Sequence, residues 1–262
     1  MELLYLAIGL ITTTVGAISG IGGGVILKPV LDMFGHFDIS TIGILSSCTV
    51  LAMSTVALTK KFIAKAKFEY NRLLPLSLGA VLGGFAGKYI FALCLQHASN
   101  EAMVKIAQSV VLALLMVFVL LFSVYKKKIK TFDVTSGIVC LAAGLGMGTI
   151  SSFLGIGGGP INVPIIIILF SCNAKEAAIY SIFTIFLSQA STLGNTLFTV
   201  GFGAYDLSVV GYMIVGGISG GFLGDAINKK LDTHQVEKMF NLVMVVVILL
   251  NVYNVISVIS QY

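Results

Sequence analysis

Gly20-Ile21-Gly22-Gly23-Gly24-Val25-Ile26-Leu27-Lys28-Pro29 returns 135 residues later as Gly155-Ile156-Gly157-Gly158-Gly159-Pro160-Ile161-Asn162-Val163-Pro164, with the glycines and the closing proline in register. The register persists beyond the two runs. Ser46, Thr49 and Met53 face Ser181, Thr184 and Ser188, and the row Gly79, Gly83, Gly84, Phe85, Gly87 recurs as Gly216, Gly220, Gly221, Phe222, Gly224. The chain therefore reads as two homologous halves, 1–125 and 131–262, joined by a short linker at 126–130.

Each glycine run interrupts a long apolar stretch, at 3–34 and 134–170, and six further apolar stretches follow at 40–59, 73–94, 103–125, 177–197, 207–227 and 236–258. A membrane-spanning helix needs about 20 mostly apolar residues, so the six have single-span length and the two glycine-broken stretches are too long. Hydrophobic residues make up 57% of the chain and charged ones 10%, with a mean hydropathy of +1.03. That balance excludes a soluble domain and indicates an all-α polytopic membrane protein. The start, Met1-Glu2-Leu3-Leu4, runs apolar past Val15 without the Lys or Arg of a signal peptide, so the N-terminus reads as the first membrane element.

Lys and Arg report orientation, because short cytoplasmic loops carry an excess of both. Lys60, Lys61, Lys65, Lys67 and Arg72, then Lys126, Lys127, Lys128 and Lys130, then Lys175, and finally Lys229, Lys230 and Lys238 mark inside connections. The connections at 33–39, 95–102 and 198–206 contain neither residue and belong outside. The linker is then cytoplasmic and both termini lie outside. Since 33–39 is outside and its equivalent 171–176 inside, the halves are inverted and each crosses an odd number of times. Three plain spans per half satisfy this if 3–34 and 134–170 are hairpins bent at their glycines, which tolerate backbone angles closed to other residues. A single kinked helix in each place, giving eight spans and parallel halves, is the alternative.

Inverted repeats with helices broken at the midplane are a recurring construction of secondary transporters, whose half-helix N-termini aim free N–H groups at an anionic substrate. Pro160 suits a first helical position, because its missing N–H has no intrahelical partner there. Positions 46, 49 and 53, and likewise 181, 184 and 188, share a helix face. Thr49, Ser181 and Thr184 can thus donate to an oxyanion, with Gln189 and Asn195 further out; alternatively these hydroxyls bond back to their own helices. Lys28, one turn past the first glycine tip, is an ionisable group within the membrane and faces Val163 in the repeat; it either supplies a counter-charge to an anion or snorkels outward. The rows Gly79 to Gly87 and Gly216 to Gly224 read as close helix packing.

Catalytic chemistry is poorly supplied. His36, His97 and His234 fall in connections, Asp32, Asp206 and Asp225 lie at segment ends, and no acid/base pair, metal constellation or G-x-x-x-x-G-K-[ST] phosphate loop appears. Cys48, Cys94, Cys140 and Cys172 form no C-x-x-C pair and read as apolar thiols. The net charge of +5 sits in loops rather than on one amphipathic face, which argues against nucleic-acid binding. No cofactor is expected.

The doubled G-x-G-G-G-x-x-x-x-P run in two four-segment halves resembles the sulfite exporter TauE/SafE family, also called the toluene sulfonate uptake permease family. The resemblance implies a bacterial inner-membrane transporter of small anions such as sulfite, sulfonates or related organic acids, driven by a gradient of H⁺ or Na⁺. It implies a substrate site at Gly20, Gly22, Gly23 and Gly24 and at Gly155, Gly157, Gly158 and Gly159, with Lys28 and Asn162 inside the motif as residues that tune the substrate. The expected site is completed by Thr49, Ser181 and Thr184. Competing readings are a passive anion channel, a gradient-driven transporter of another small metabolite, a membrane-embedded enzyme and a scaffold; the glycine-rich faces also suggest a homodimer.

Overall fold

The computed structural model describes residues 2–65, 68–97, 101–156 and 158–260; Lys67 and Gly157 of the readings above lie outside them. Among the described residues the chain is all-helical. The first half holds α1 (Glu2–Ser19), α2 (Gly24–Phe34), α3 (Ile39–Ile63), α4 (Tyr70–His97) and α5 (Glu101–Tyr125). The second holds α6 (Gly137–Phe153), α7 (Asn162–Phe170), α8 (Ala174–Thr199), α9 (Val210–Lys230) and α10 (Thr233–Ile259). Seven of these, α1, α3, α4, α5, α8, α9 and α10, are long and apolar enough to cross a membrane, and α6 is a shorter apolar helix. With a rise of about 1.5 Å per residue, α2 and α7 reach only about half of a ~30 Å hydrocarbon layer.

Both long stretches reverse at their glycines. Gly20 and Gly22 adopt φ of 74° and 80°, backbone that L side chains rarely enter. α2 then runs back along α1: a Cβ on Gly16 would lie 2.6 Å from the Gly22 carbonyl carbon, and one on Gly23 would lie 2.9 Å from Thr13 Cα. The return is complete, because Tyr5 near the start of α1 hydrogen-bonds His36 just after α2 and packs edge-on against Phe37, with ring centroids 5.6 Å apart. In the second half the Phe132 and Val134 amides, ahead of α6, donate to Ile168 and Leu169 at the end of α7 at 2.7 and 2.8 Å. Pro160 does not open α7. The helix begins two residues later at Asn162, whose amide bonds the Gly159 carbonyl at 3.1 Å, so Pro160 sits in the turn that leads into it.

The helices that follow each hairpin are capped alike. Asp38 accepts from the amides of Ser40 and Thr41, and Asn173, 135 residues later, accepts from Lys175 and Glu176 while Glu176 closes a capping box. Each cap satisfies amides that the first helical turn leaves without partners.

The glycine rows act as packing surfaces. α4 lies along α6 and α1 along α9, the two most extensive helix pairs in the fold, and these pairs are repeat equivalents. Gly79, Gly83 and Gly87 of α4 rest on the α6 backbone at Leu141 to Leu145, Leu145 to Thr149 and Thr149 to Phe153. Gly216, Gly220 and Gly224 of α9 rest in the same way on α1 at Leu6 to Leu10, Leu10 to Thr14 and Thr14 to Ile18. The contacts climb together along both partners, so each pair runs parallel, at the close approach that small residues permit. Large apolar side chains face outward elsewhere, among them Leu114, Phe118 and Leu249, each more than 60% exposed, as lipid-facing positions require.

Candidate functional site

The two hairpin tips meet in the interior. Gly24 at the start of α2 lies against the Ile156 carbonyl of the other tip and has Ser46 Oγ 2.8 Å from where a Cβ would be; Gly20 packs on Ala178 of α8, and the Ser181 hydroxyl donates to the Gly20 carbonyl at 2.6 Å. Gly22 and Gly158 both abut Ile185, and Gly159 abuts Ser151. These glycines are the contact surface that lets two turned backbones and α8 occupy one spot.

Beside the tips opens a cavity of about 500 Å³, lined by one end of α3, the C-terminal parts of α4 and α8, and the Gly155 turn. The charged side chains in its lining are Lys28 and Lys88. Gln108, Gln189, Thr192 and Asn195 add amides and a hydroxyl, while Phe85, Tyr89 and Phe91 form an apolar wall.

Lys28 is 3% exposed and reaches across to the second repeat, its Cε 3.3 Å from the position of a Cβ on Gly155. Its Nζ donates to Gln108 Oε1 at 2.9 Å and lies 3.4 Å from Asp32 Oδ2. Gln108 in turn donates to the Phe153 carbonyl, and Asp32 is also held by Lys105, whose Nζ is 3.5 Å from Oδ1 and 3.0 Å from the Asp32 carbonyl. Burying an ion is costly unless it is paired and hydrogen-bonded, and this network meets that condition with two cations to one carboxylate. Lys88 donates to the Thr192 carbonyl at 3.1 Å and to Thr196 Oγ1 at 2.6 Å, with no carboxylate beside it among the described residues.

Of the residues expected from sequence, Lys28 and Gly155 line this cavity, as do the outer positions Gln189 and Asn195. Thr49 bonds back to the Leu45 carbonyl at 2.7 Å, and Thr184 to Tyr180 at 3.1 Å with Ser77 at 3.2 Å. Asn162 is buried at the start of α7, its Oδ1 without a hydrogen-bond partner. Gly20, Gly22, Gly23, Gly24, Gly158, Gly159 and Ser181 belong to the tip packing, and Gly157 lies outside the described residues. Lys88, Gln108 and the Asp32–Lys105 pair are additions. Lys88 and Gln108 are polar residues within the apolar stretches 73–94 and 103–125, each about six residues from the outer boundary, and that nearness masked them.

The family model "Sulfite exporter TauE/SafE" matches residues 5–250. The chain belongs to the TauE/SafE family. Among relatives in curated collections, the "Probable membrane transporter protein YunE" of Bacillus subtilis (strain 168) is 26% identical over 270 residues, spanning 93% of this chain and 94% of the relative. A "Probable membrane transporter protein" of Haemophilus influenzae is 26% identical over 219 residues, spanning 80% and 76%. No solved structure matches the chain at a significant level. Membership in TauE/SafE makes this a membrane transporter of many helices.

Proposed function

We propose that this TauE/SafE protein is a secondary transporter that carries small anions by alternating access. The observation that carries the proposal is the cavity of about 500 Å³ whose charged lining is Lys28 and Lys88, with no carboxylate among its described lining residues. A low-dielectric pocket lined by one sign of charge concentrates the opposite ion. Sulfite, sulfonates and related organic acids fit this chemistry, and the wall of Phe85, Tyr89 and Phe91 accommodates an apolar body beside the anionic head.

Helix directions support inverted halves. The return of α2 to the start of α1 makes α3 begin where α1 begins, and the short connection to α4 turns α4 the other way. α4 runs opposite to α1, yet α9, the repeat equivalent of α4, runs parallel to α1. Positive-inside bias then puts the basic ends Lys60, Lys61, Lys229 and Lys230 and the linker in the cytoplasm, with both termini outside. In that frame the cavity, bordered by Ile39, Leu95, Val200 and Tyr205, opens outward from a bacterial inner membrane. Its lining comes from one end of the helices and stops at the tips, which favours a carrier over a continuous pore.

The test is efflux of sulfite, thiosulfate or a small sulfonate from preloaded proteoliposomes, with and without an imposed H⁺ or Na⁺ gradient. Efflux above empty vesicles, accelerated by one gradient, is the expected result; efflux equal to empty vesicles for every anion rejects the proposal.

A further inference from the structure

The outward cavity has a shut counterpart. A void of about 10 Å³ lies at the opposite ends of the same helices, lined by Ala57, Lys61, Ala178 and Asp225 among others. At the 135-residue offset these correspond to Thr192 for Ala57, Thr196 for Lys61 and Gly43 for Ala178, and at the 137-residue offset of the glycine rows Asp225 corresponds to Lys88. All four of those equivalents line the open cavity. The wide space and the closed one are thus built from the same positions of the two repeats, at the two ends of the molecule.

What closes the smaller one is visible in the substitutions. Ala178 packs on Gly20, whereas its equivalent Gly43 has nothing within 4 Å of a Cβ position. Asp225, its side chain 1% exposed, lies 2.9 Å from Lys229 Nζ, 3.2 Å from Lys61 Nζ and 3.6 Å from Lys60 Nζ, so one carboxylate ties α9 to the end of α3. Lys60 also donates to the Phe222 carbonyl at 3.3 Å and sits 4.7 Å over the Phe222 ring. Asn228, one turn on, donates to the Ile18 carbonyl at 2.7 Å and fastens α9 to the end of α1. At the open end the Asp225 position is occupied by Lys88, whose partners are a carbonyl and a hydroxyl of α8. Among the described residues no carboxylate stands at that position to tie α4 to a neighbour.

We propose that Asp225, with Lys60, Lys61 and Lys229, is the latch of an inner gate, and that its release opens the small void into a second access cavity while the outer one closes. This rests on the alternating-access reading above. The latch holds three cations to one anion, so release leaves Lys61 facing the opened void and gives the inner path a cationic lining like that of the outer one.

The experiment is thiol accessibility in inside-out membrane vesicles, with the four native cysteines replaced by alanine and Ala57→Cys as the probe in the small void. A membrane-impermeant maleimide is expected to label Ala57→Cys slowly. Adding Asp225→Asn raises the labelling rate on the order of tenfold, as a minor open state gains population, whereas Asp225→Glu leaves it near the starting value. The double change Lys60→Gln with Lys61→Gln serves as a second release should Asp225→Asn fold poorly, with monodispersity in detergent checked for each. Thr192→Cys, in the outer cavity, is labelled from the opposite face and loses reactivity as Ala57→Cys gains it. Unchanged Ala57→Cys labelling in both released variants, each folded, overturns the latch even where anion efflux is intact. A labelling change in a protein that moves no anion keeps the latch and rejects the anion substrate instead.

Discussion

Gly148 and Gly146 lie two residues apart on α6 and make opposite predictions for the same substitution. A Cβ on Gly148 would lie 2.7 Å from the Ala80 carbonyl carbon and 2.8 Å from Ala80 Cα, whereas one on Gly146 would meet nothing within 4 Å. Carbon atoms rest at about 3.5–4.0 Å and the Ala80 carbonyl oxygen lies nearer still, so Gly148→Ala must part α6 from α4 by at least roughly 0.8 Å. That displacement also loosens Gly144, Gly79, Gly83 and Gly87, which share the seam. Overpacking of this kind costs about 1–3 kcal/mol, while alanine in a helix interior recovers at most about 1 kcal/mol over glycine. Gly148→Ala is therefore expected to lose up to about 3 kcal/mol and Gly146→Ala to be neutral or to gain up to about 1 kcal/mol. Thermal unfolding in detergent, followed by loss of the monodisperse peak, compares the two directly. Gly148→Ala melting at or above the temperature of Gly146→Ala would refute the parallel α4–α6 seam.

Asp32→Ala leaves Lys28 buried without its carboxylate, a loss of about 3–5 kcal/mol for a broken buried pair; folded yield should fall sharply and recover in part when Lys28→Met is added. Equal yields for Asp32→Ala and the double variant would show that the pair does not carry that energy. Cys172, in the connection between α7 and α8, has its thiol pushed up to about 12, first by burial and then by the nearby Glu176. Because the thiolate is the reactive form, Cys172 is expected to stay unalkylated by maleimide at pH 8 in folded protein and to react once the protein is denatured. Alkylation at the rate of a free thiol would contradict its burial.

The fold was legible wherever the pattern was long. Apolar stretches separated by polar connections located the helices, and the doubled glycine run marked both reversals, because glycine enters most readily the backbone that Gly20 and Gly22 use at φ of 74° and 80°. Pro160 misled by two residues, since a proline fits the turn before a helix as well as its first position. The site was less legible. Sequence spacing placed Thr49 and Thr184 each on a hydroxyl stripe of its own helix, but a hydroxyl in a helix can satisfy itself on the preceding turn, and both do. Lys28 was visible as a charge in an apolar segment. Lys88 was hidden by its nearness to a boundary, and its role depends on α8 lying across from it, which no local pattern encodes. The correspondence between open and closed cavities required the repeat register and the packed ends together.

We propose that Lys28 and Lys88 hold the transported anion. The most direct measurement is initial flux of a small sulfonate or sulfite into proteoliposomes holding wild type, Lys88→Gln or Lys28→Gln at matched amounts of folded protein. A hydrogen bond to a charged group is worth about 1.5–3 kcal/mol, and each 1.4 kcal/mol is about tenfold, so Lys88→Gln is predicted to lower apparent affinity or flux by about tenfold or more. Unchanged flux in both variants would contradict the claim and remove the cavity from the anion's path.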